Sequence, residues 1–172
     1  HQRNIEELGH ANKPAAKKAY YTIMMGGGGG RIAADQAQFG TKLTAKEGEA
    51  LRQGIIANIP GFQATIERLQ EELANTGRIT LCSGTPILVP SPHMVIPYKL
   101  QGDESQLMKL ALVFVDKIVT ERGWENDAFK VADIHDEWQW RVRKSVVKEF
   151  IAAAKPCFVK AGEFFNYNIE IE

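Results

Sequence analysis

Residues 13–26 read KPAAKKAYYTIMMG, and four further glycines follow directly. Pro14 suits the first turn of a helix, and the glycine run, residues 26–30, predicts where that helix ends. Lys13, Lys17 and Tyr21 are four residues apart, so they share one helical face. Two cations one turn apart suit a polyphosphate, and an aromatic ring one turn further on can stack on a base or sugar. A solvated lysine face beside a core tyrosine is the alternative interpretation.

Residues 131–142 read VADIHDEWQWRV, which predicts two short apolar strands around a turn at His135, Asp136 and Glu137. At a hairpin tip the adjacent carboxylates of Asp136 and Glu137 can approach one region. Carboxylate oxygens suit Mg²⁺, but a two-metal phosphoryl-transfer site needs at least one more carboxylate. A polar surface turn is the alternative interpretation, and His135 taken alone is more often a structural residue.

Hydrophobic periodicity predicts a helical first half and a second half that mixes helices with strands, so the expected fold class is α+β. The predicted helices are residues 4–8, 15–25, 32–39, 44–59, 63–74, 104–121 and 145–154, with a kink at Pro156. The predicted strands are residues 78–82, 87–89, 131–134, 138–142 and 164–171. Pro90, Pro92 and Pro97 predict a loop before the longest helix.

Composition narrows the function classes. The 172-residue chain carries 21 basic and 21 acidic residues, which argues against a protein that coats nucleic acid non-specifically. No apolar run approaches the roughly 18 residues of a membrane span, and residues 1–5 contain no apolar signal region, so we expect a cytoplasmic protein. Cys82 and Cys157 lie far apart, which favours reduced thiols over a disulfide. The chain begins at His1 rather than Met, which predicts a fragment or a processed chain.

With these motifs in this order, the chain resembles the C-terminal part of family A DNA polymerases. That family includes bacterial DNA polymerase I and phage replicative polymerases, and the likeness to the phage type is closer. The pattern Lys17-x3-Tyr21-x4-Gly26 resembles motif B, the fingers helix that binds the incoming deoxynucleoside triphosphate (dNTP). Residues 134–137 resemble motif C, the palm hairpin that presents a catalytic carboxylate. Three intervening segments also match: Ser91-Pro92-His93, Leu100-Gln101-Gly102 and Gly123-Trp124.

The resemblance implies a set of nucleotide-binding residues. Lys17 would contact the triphosphate and protonate the pyrophosphate leaving group, and His1 would also touch the phosphates. Lys13 stands where the family usually has arginine, so the charge is kept while the bidentate fork is lost. Tyr21 would pack near the sugar, and tyrosine there is associated in the family with acceptance of dideoxynucleotides. Met25 stands where a tyrosine usually closes the templating-base pocket.

The resemblance also implies metal and DNA sites. Two Mg²⁺ ions would be held by Asp136 and by the aspartate of motif A, on a segment that would precede His1. Glu137 would be the catalytic neighbour of Asp136. Gln101 and His135 would lie near the minor groove of the primer-template and the primer end. The implied partners are primer-template DNA, dNTP and the N-terminal polymerase portion, in the same polypeptide or as a separate subunit, with no membrane.

The expected architecture is a right-hand polymerase fragment, with fingers over residues 1–95, the C-terminal part of the palm over residues 96–172, and the glycine run as a hinge. The implied function is template-directed DNA synthesis by two-metal nucleotidyl transfer, with this chain inactive on its own. One alternative is a non-catalytic DNA- or replisome-binding module derived from a polymerase. Another is an unrelated Mg²⁺-dependent phosphohydrolase, in which Asp103 and Glu104 would join Asp136.

Overall fold

A computed structural model describes residues 13–134 and 137–168. Contacts divide the chain into two compact units, whose described residues are 13–80 with 86–100, and 81–85 with 101–134 and 137–168. The helices of the described residues are α1 (Lys13–Met24), α2 (Gly29–Ala37), α3 (Ala45–Ala57), α4 (Phe62–Thr76), α5 (Val95–Glu121) and α6 (Val147–Phe164). The strands are β1 (Arg78–Thr80), β2 (Pro86–Leu88), β3 (Ala128–Ile134) and β4 (Glu137–Val142), and a 3-10 turn covers Pro92–Met94.

The first unit begins with three packed helices. Helix α1 buries a face of small residues and Ile23, and α2 covers that face with Ile32. Helix α3 opens at Thr44, whose side chain accepts from the Glu47 amide while Glu47 caps the Thr44 amide in return. This reciprocal pair is the capping box that the spacing of Thr44 and Glu47 in the sequence predicts, and it satisfies two helix-end donors.

The glycine run does more than end a helix. Gly26 ends the turn after α1 with φ of 76°, and its missing Cβ leaves room for the carbonyl of His93. Gly29 and Gly30, however, form the first turn of α2. A Cβ on Gly29 would lie 2.5 Å from the Ala45 carbonyl oxygen, so close packing against α3 outweighs the poor helix propensity of glycine here.

The rest of the first unit packs α4 against the β1–β2 hairpin. The strands pair antiparallel with Ile79 opposite Ile87. Leu69 and Leu73 of α4 join Ile79 in a core that also takes in Val95, the first residue of α5. Residues 95–100 of α5 belong to this unit, and the remainder of the helix belongs to the second.

The second unit is built on the β3–β4 hairpin, which pairs antiparallel with a register shift between Lys130 and Ala132. Trp138 and Trp140 share the inner face, as their spacing predicts. The Trp138 ring lies 4.7 Å from that of Phe158, and the Trp140 ring lies 5.0 Å from that of Phe150. The hairpin therefore packs on α6 through two pairs of aromatic rings. Each pair stabilises the packing by about 0.5–1.5 kcal/mol beyond the burial of its apolar area.

Three sequence predictions are corrected in the described residues. The loop predicted through Pro97 is wrong, because α5 already begins at Val95 and Pro97 lies in its first turn, where a missing N–H costs nothing. Helix α6 runs on through Pro156 to Phe164, since its buried face with Cys157 and Ala161 offsets the cost of an internal proline. The strand predicted over residues 164–171 is wrong for residues 164–168, which form the helix end and a turn. The helix predicted over residues 4–8 lies outside the described residues.

Within the described parts of the chain, no helix is both long enough and apolar enough to cross a membrane.

Candidate functional site

Helix α1 presents the predicted cationic stripe to solvent. Lys13, Lys17 and Tyr21 are exposed, while the opposite side of the helix is buried in the first unit. The Lys17 ammonium lies 5.6 Å from the centre of the Tyr21 ring, within the range of a cation–π contact. Tyr21 keeps 49% of its surface exposed, so the alternative of a core tyrosine at this position is wrong. Its neighbour Tyr20 packs against the core instead.

A surface pocket of about 250 Å³ adjoins this stripe. Its walls are Tyr21, two cationic side chains and residues at the end of α1: Lys18, Tyr21, Thr22, Met25, Gly27 and Arg31. Met25 is 52% exposed beside the pocket. Sequence reasoning missed Arg31, which the pairing of α1 with α2 brings next to the motif. The pocket combines positive charge with an aromatic ring, a surface suited to an anionic aromatic ligand.

Beneath the pocket lies a buried polar cluster that the sequence analysis also missed. Asp35 is 1% exposed, and its Oδ2 accepts a hydrogen bond from the Thr22 hydroxyl at 2.5 Å. Its Oδ1 accepts no hydrogen bond from the described residues and lies 3.4 Å from the Arg31 guanidinium. Gln36 donates to the Ala15 carbonyl at 3.0 Å. The cluster joins α2 to α1 at both ends of the exposed stripe, so it fixes the helix that carries Lys17 and Tyr21.

The second unit holds the predicted DNA-contact residue Gln101. It lies on the exposed face of α5 and lines a pocket of about 600 Å³. The other walls come from the same helical face and from the hairpin: Glu104, Ser105, Met108, Lys109, Leu112, Asp133 and Trp138. The structure therefore brings Gln101 beside the hairpin that carries the predicted motif C.

The described residues include one member of the predicted acidic tip. Glu137 is exposed at the start of β4, and its carboxylate accepts from the Gln139 amide at 3.2 Å. Asp136, His135 and His1 lie outside the described residues.

No protein-family model matches the chain. It is 28% identical over 123 residues to DNA polymerase I of Pseudomonas aeruginosa, covering 64% of this chain and 13% of that protein. It is 30% identical over 129 residues to the DNA-directed DNA polymerase of Escherichia phage Phieco32, and 25% identical over 141 residues to that of Enterobacteria phage T3. Both matches cover 71% of this chain and 20% of the phage protein.

In three dimensions the chain is similar to the polymerase domain of Pol1 from M. smegmatis, solved in complex with DNA primer-template and dNTP. The TM-score is 0.74 at 15% identity, over 86% of this chain and 27% of that one. The chain resembles family A DNA polymerases in sequence and in fold. The α+β fold, helical with antiparallel hairpins, is that of part of a polymerase domain, and the chain spans about a fifth or less of these curated relatives.

The two Mg²⁺ ions implied by the polymerase resemblance need clustered oxygen ligands. Within residues 13–134 and 137–168, no three His, Cys, Asp or Glu side chains gather as a metal site. Asp136, the metal ligand implied by the resemblance, lies outside the described residues, so its role as a ligand stays a prediction.

The phosphohydrolase alternative requires Asp103 and Glu104 to join Asp136, which lies outside the described residues. Glu104 does face the hairpin, since it lines the same pocket as Asp133. Asp103 is instead 6% exposed, and its Oδ1 accepts from the Cys82 amide at 2.7 Å. Its Oδ2 accepts from the Tyr167 hydroxyl at 2.5 Å. Both carboxylate oxygens of Asp103 are thus engaged by Cys82 and Tyr167, which argues against its part in the phosphohydrolase alternative.

Tyr167, which is 39% exposed, gives this part-buried contact a pH dependence. Burial, and then the hydrogen bond to Asp103, raise the pKa of the Tyr167 phenol above its ordinary value of 10.0. The folded state therefore favours the protonated phenol, and the stability it contributes is complete below about pH 10 and declines as the pH rises further. We expect the difference in Tm between the wild type and Tyr167→Phe to be constant from pH 7 to 9 and to shrink above pH 10. Thermal unfolding followed by circular dichroism measures it, and a difference that is flat up to pH 11 would contradict the assignment.

Proposed function

We propose that this chain contributes the nucleotide-binding helix and the motif C hairpin to template-directed DNA synthesis, the transfer of a nucleotide from dNTP to a primer 3′-OH. It would act together with a segment that carries the motif A aspartate. The observation that carries the proposal is the exposed face of α1, where Lys17 lies against the Tyr21 ring with Lys13 one turn away. The sequence and fold similarity to DNA polymerases supports the same conclusion.

The nucleotide would bind along this face of α1. Lys13 and Lys17 are one helical turn apart, with Cβ atoms about 5–6 Å from each other, so both flexible ammonium groups can reach one polyphosphate. The Lys17 ammonium would donate charge-assisted hydrogen bonds to the phosphate oxygens and can supply a proton to the departing pyrophosphate. His1 is proposed as a further phosphate ligand on the evidence of the sequence alone. Tyr21, held beside Lys17, offers its ring and hydroxyl to the sugar.

The primer-template would bind along the exposed face of α5. The Gln101 amide can both donate and accept, which suits the acceptors and the donor of a DNA minor groove. Gln101 lines the large pocket beside the hairpin, and His135 is proposed to reach the primer end from the hairpin tip. Asp136 is proposed as the metal-binding aspartate, with Glu137 as its catalytic neighbour.

The second candidate is a non-catalytic DNA- or replisome-binding module derived from a polymerase. The observation that favours it is Met25, a flexible, half-exposed side chain where the family usually has a pocket-closing tyrosine. A single-nucleotide extension assay with the polymerase that contains this chain separates the two candidates. We expect the primer to be extended by one residue with the complementary dNTP and not with the other three. Primer-template binding without extension would overturn the enzyme proposal in favour of the binding module.

Replacing Tyr21 with phenylalanine should reduce dideoxynucleotide incorporation relative to dNTP by about 3- to 10-fold, the worth of one hydrogen bond. A dideoxynucleotide lacks the 3′-hydroxyl of the sugar and the contact which that hydroxyl makes. We propose that the Tyr21 hydroxyl supplies this contact instead. Competition between each ddNTP and its dNTP in primer extension measures the ratio. Tyr20→Phe is the matched control, because Tyr20 packs in the core beside it. Equal termination by the wild type and Tyr21→Phe would contradict the role.

A further inference from the structure

The back of α5 is fixed to two distant segments of the second unit. Gly102 faces the buried Leu81 so closely that a Cβ would overlap the Leu81 side chain. The next residue, Asp103, accepts from the Cys82 amide at 2.7 Å and from the Tyr167 hydroxyl at 2.5 Å. Hydrogen bonds to a charged acceptor are the strong ones, and here the acceptor Asp103 is buried while Tyr167 is partly exposed. One helical turn is thus held by the segment after β1 and by the segment after α6.

The front of the same turn lines the large pocket. The lining residues recur at intervals of three and four along one helical face: Gln101, Glu104, Ser105, Met108 and Leu112. At 100° per residue, Asp103 lies about 200° around the helix from Gln101. The anchored side and the pocket side of α5 therefore belong to one rigid turn.

The position of Tyr167 is set by the end of α6. Asn166 adopts a left-handed conformation with φ of 60°. The Tyr167 amide donates to the Gly162 carbonyl at 2.8 Å, and the Asn166 amide donates to the Glu163 carbonyl at 3.1 Å. This pattern is a Schellman motif, which gives the chain after the helix a defined direction. The Tyr167 hydroxyl consequently reaches Asp103 from a fixed starting point.

We propose that Asp103 and Tyr167 are positioning residues that hold Gln101 in place for the DNA minor groove. This inference rests on the proposed function, because it acts through the proposed contact between Gln101 and the primer-template. The carboxylate of Asp103 sets the rotation and depth of the α5 turn, and the Tyr167 hydroxyl occupies its second oxygen. Small displacements of a binding group weaken a contact that depends on direction, so loss of the hydroxyl should weaken DNA binding through Gln101.

A double-mutant cycle in the complete polymerase tests this coupling, with steady-state primer extension at varied primer-template concentration. We expect Gln101→Ala and Tyr167→Phe each to raise KM for the primer-template about 10-fold, with kcat within about 2-fold, since both remove uniform binding. We expect Tyr167→Phe to add less than about 2-fold once Gln101 is alanine, because both changes remove the same contact. Fully additive effects would overturn the inference.

Two further variants separate positioning from general destabilisation. Val115 is a buried residue of α5 that lies outside the proposed site. Val115→Ala should open a cavity in the core beneath this helix. It should lower Tm as Tyr167→Phe does while leaving KM unchanged. Asp103→Ala should raise KM for the primer-template. Asp103→Asn keeps an acceptor for the Cys82 amide and donates to the Tyr167 oxygen, so its KM should stay close to that of the wild type.

The outcomes also separate this inference from the proposed function. A wild-type polymerase that fails to extend the primer, or a Gln101→Ala variant with unchanged KM, would remove the proposed role of Gln101. If Gln101→Ala raises KM but Tyr167→Phe leaves KM unchanged, the positioning role alone is overturned. A Val115→Ala variant that raises KM as much as Tyr167→Phe would overturn it as well.

Discussion

Replacing Lys17 with alanine should lower kcat/KM for the incoming dNTP about 100-fold, a loss of roughly 2.7 kcal/mol in transition-state stabilisation. The ammonium is exposed, lies 5.6 Å from the Tyr21 ring and has Lys13 one turn away. A charge-assisted hydrogen bond to a phosphate is worth about 1.5–3 kcal/mol, and a proton given to the leaving group adds to kcat. Single-turnover incorporation of one nucleotide at varied dNTP concentration measures the maximal incorporation rate and the half-saturating dNTP concentration, whose ratio is compared between variants.

Lys46→Ala is the matched control for this experiment. Lys46 is an exposed lysine of α3 in the same unit, so its loss removes the same charge without touching the α1 stripe. We expect kcat/KM to change less than 2-fold, in keeping with the small effects of isolated surface charges. Lys13→Ala should fall between the two and act mainly on KM, because Lys13 is proposed to bind phosphate without a proton-transfer role. A Lys17→Ala enzyme no worse than Lys46→Ala would contradict the nucleotide-binding proposal.

The parts of the fold that sequence predicted are those governed by local rules. The four-residue spacing of Lys13, Lys17 and Tyr21 fixes a shared helical face whatever the helix packs against. The capping box at Thr44 and the alternation of Trp138 and Trp140 are likewise local, and both appear in the structure. The predictions that were wrong concern segments whose structure is decided by tertiary packing. Pro97 indicates a loop by itself, yet the apolar residues around it bury themselves as the first turn of α5.

The candidate site divides in the same way. Sequence placed the cationic stripe correctly, but Asp35 and Gln36 were missed although they follow Ile32 at helical spacing on one buried face. A polar residue at such a position is a signal that a buried partner exists, and here the partners lie in α1. The contact between Asp103 and Tyr167 spans 64 residues and ends on a turn that was predicted as a strand, so no local pattern could reveal it.

The crossing of α2 and α3 depends on two glycines that face each other. A Cβ on Gly48 would overlap the carbonyl oxygen of Gly29, and the Gly29 amide donates to the Glu49 carboxylate at 3.0 Å. Backbone fills both sides of this contact, so an added methyl group cannot be accommodated by a side-chain rotation. Six residues along the same helix, Gly54 has no atom within 4 Å of where its Cβ would lie.

Gly48→Ala should therefore destabilise the protein by about 2–3 kcal/mol, the cost of overpacking a helix crossing, even though alanine favours the helix. Gly54→Ala on the same helix should stabilise it by about 0.5–1 kcal/mol, because there the propensity gain acts without a clash. Urea unfolding followed by circular dichroism measures both values with the wild-type m-value as reference. Because α2 carries Asp35 and Arg31 against α1, Gly48→Ala should also weaken dNTP binding, whereas Gly54→Ala should not. Two variants of equal stability would show that α2 and α3 do not approach each other at these glycines.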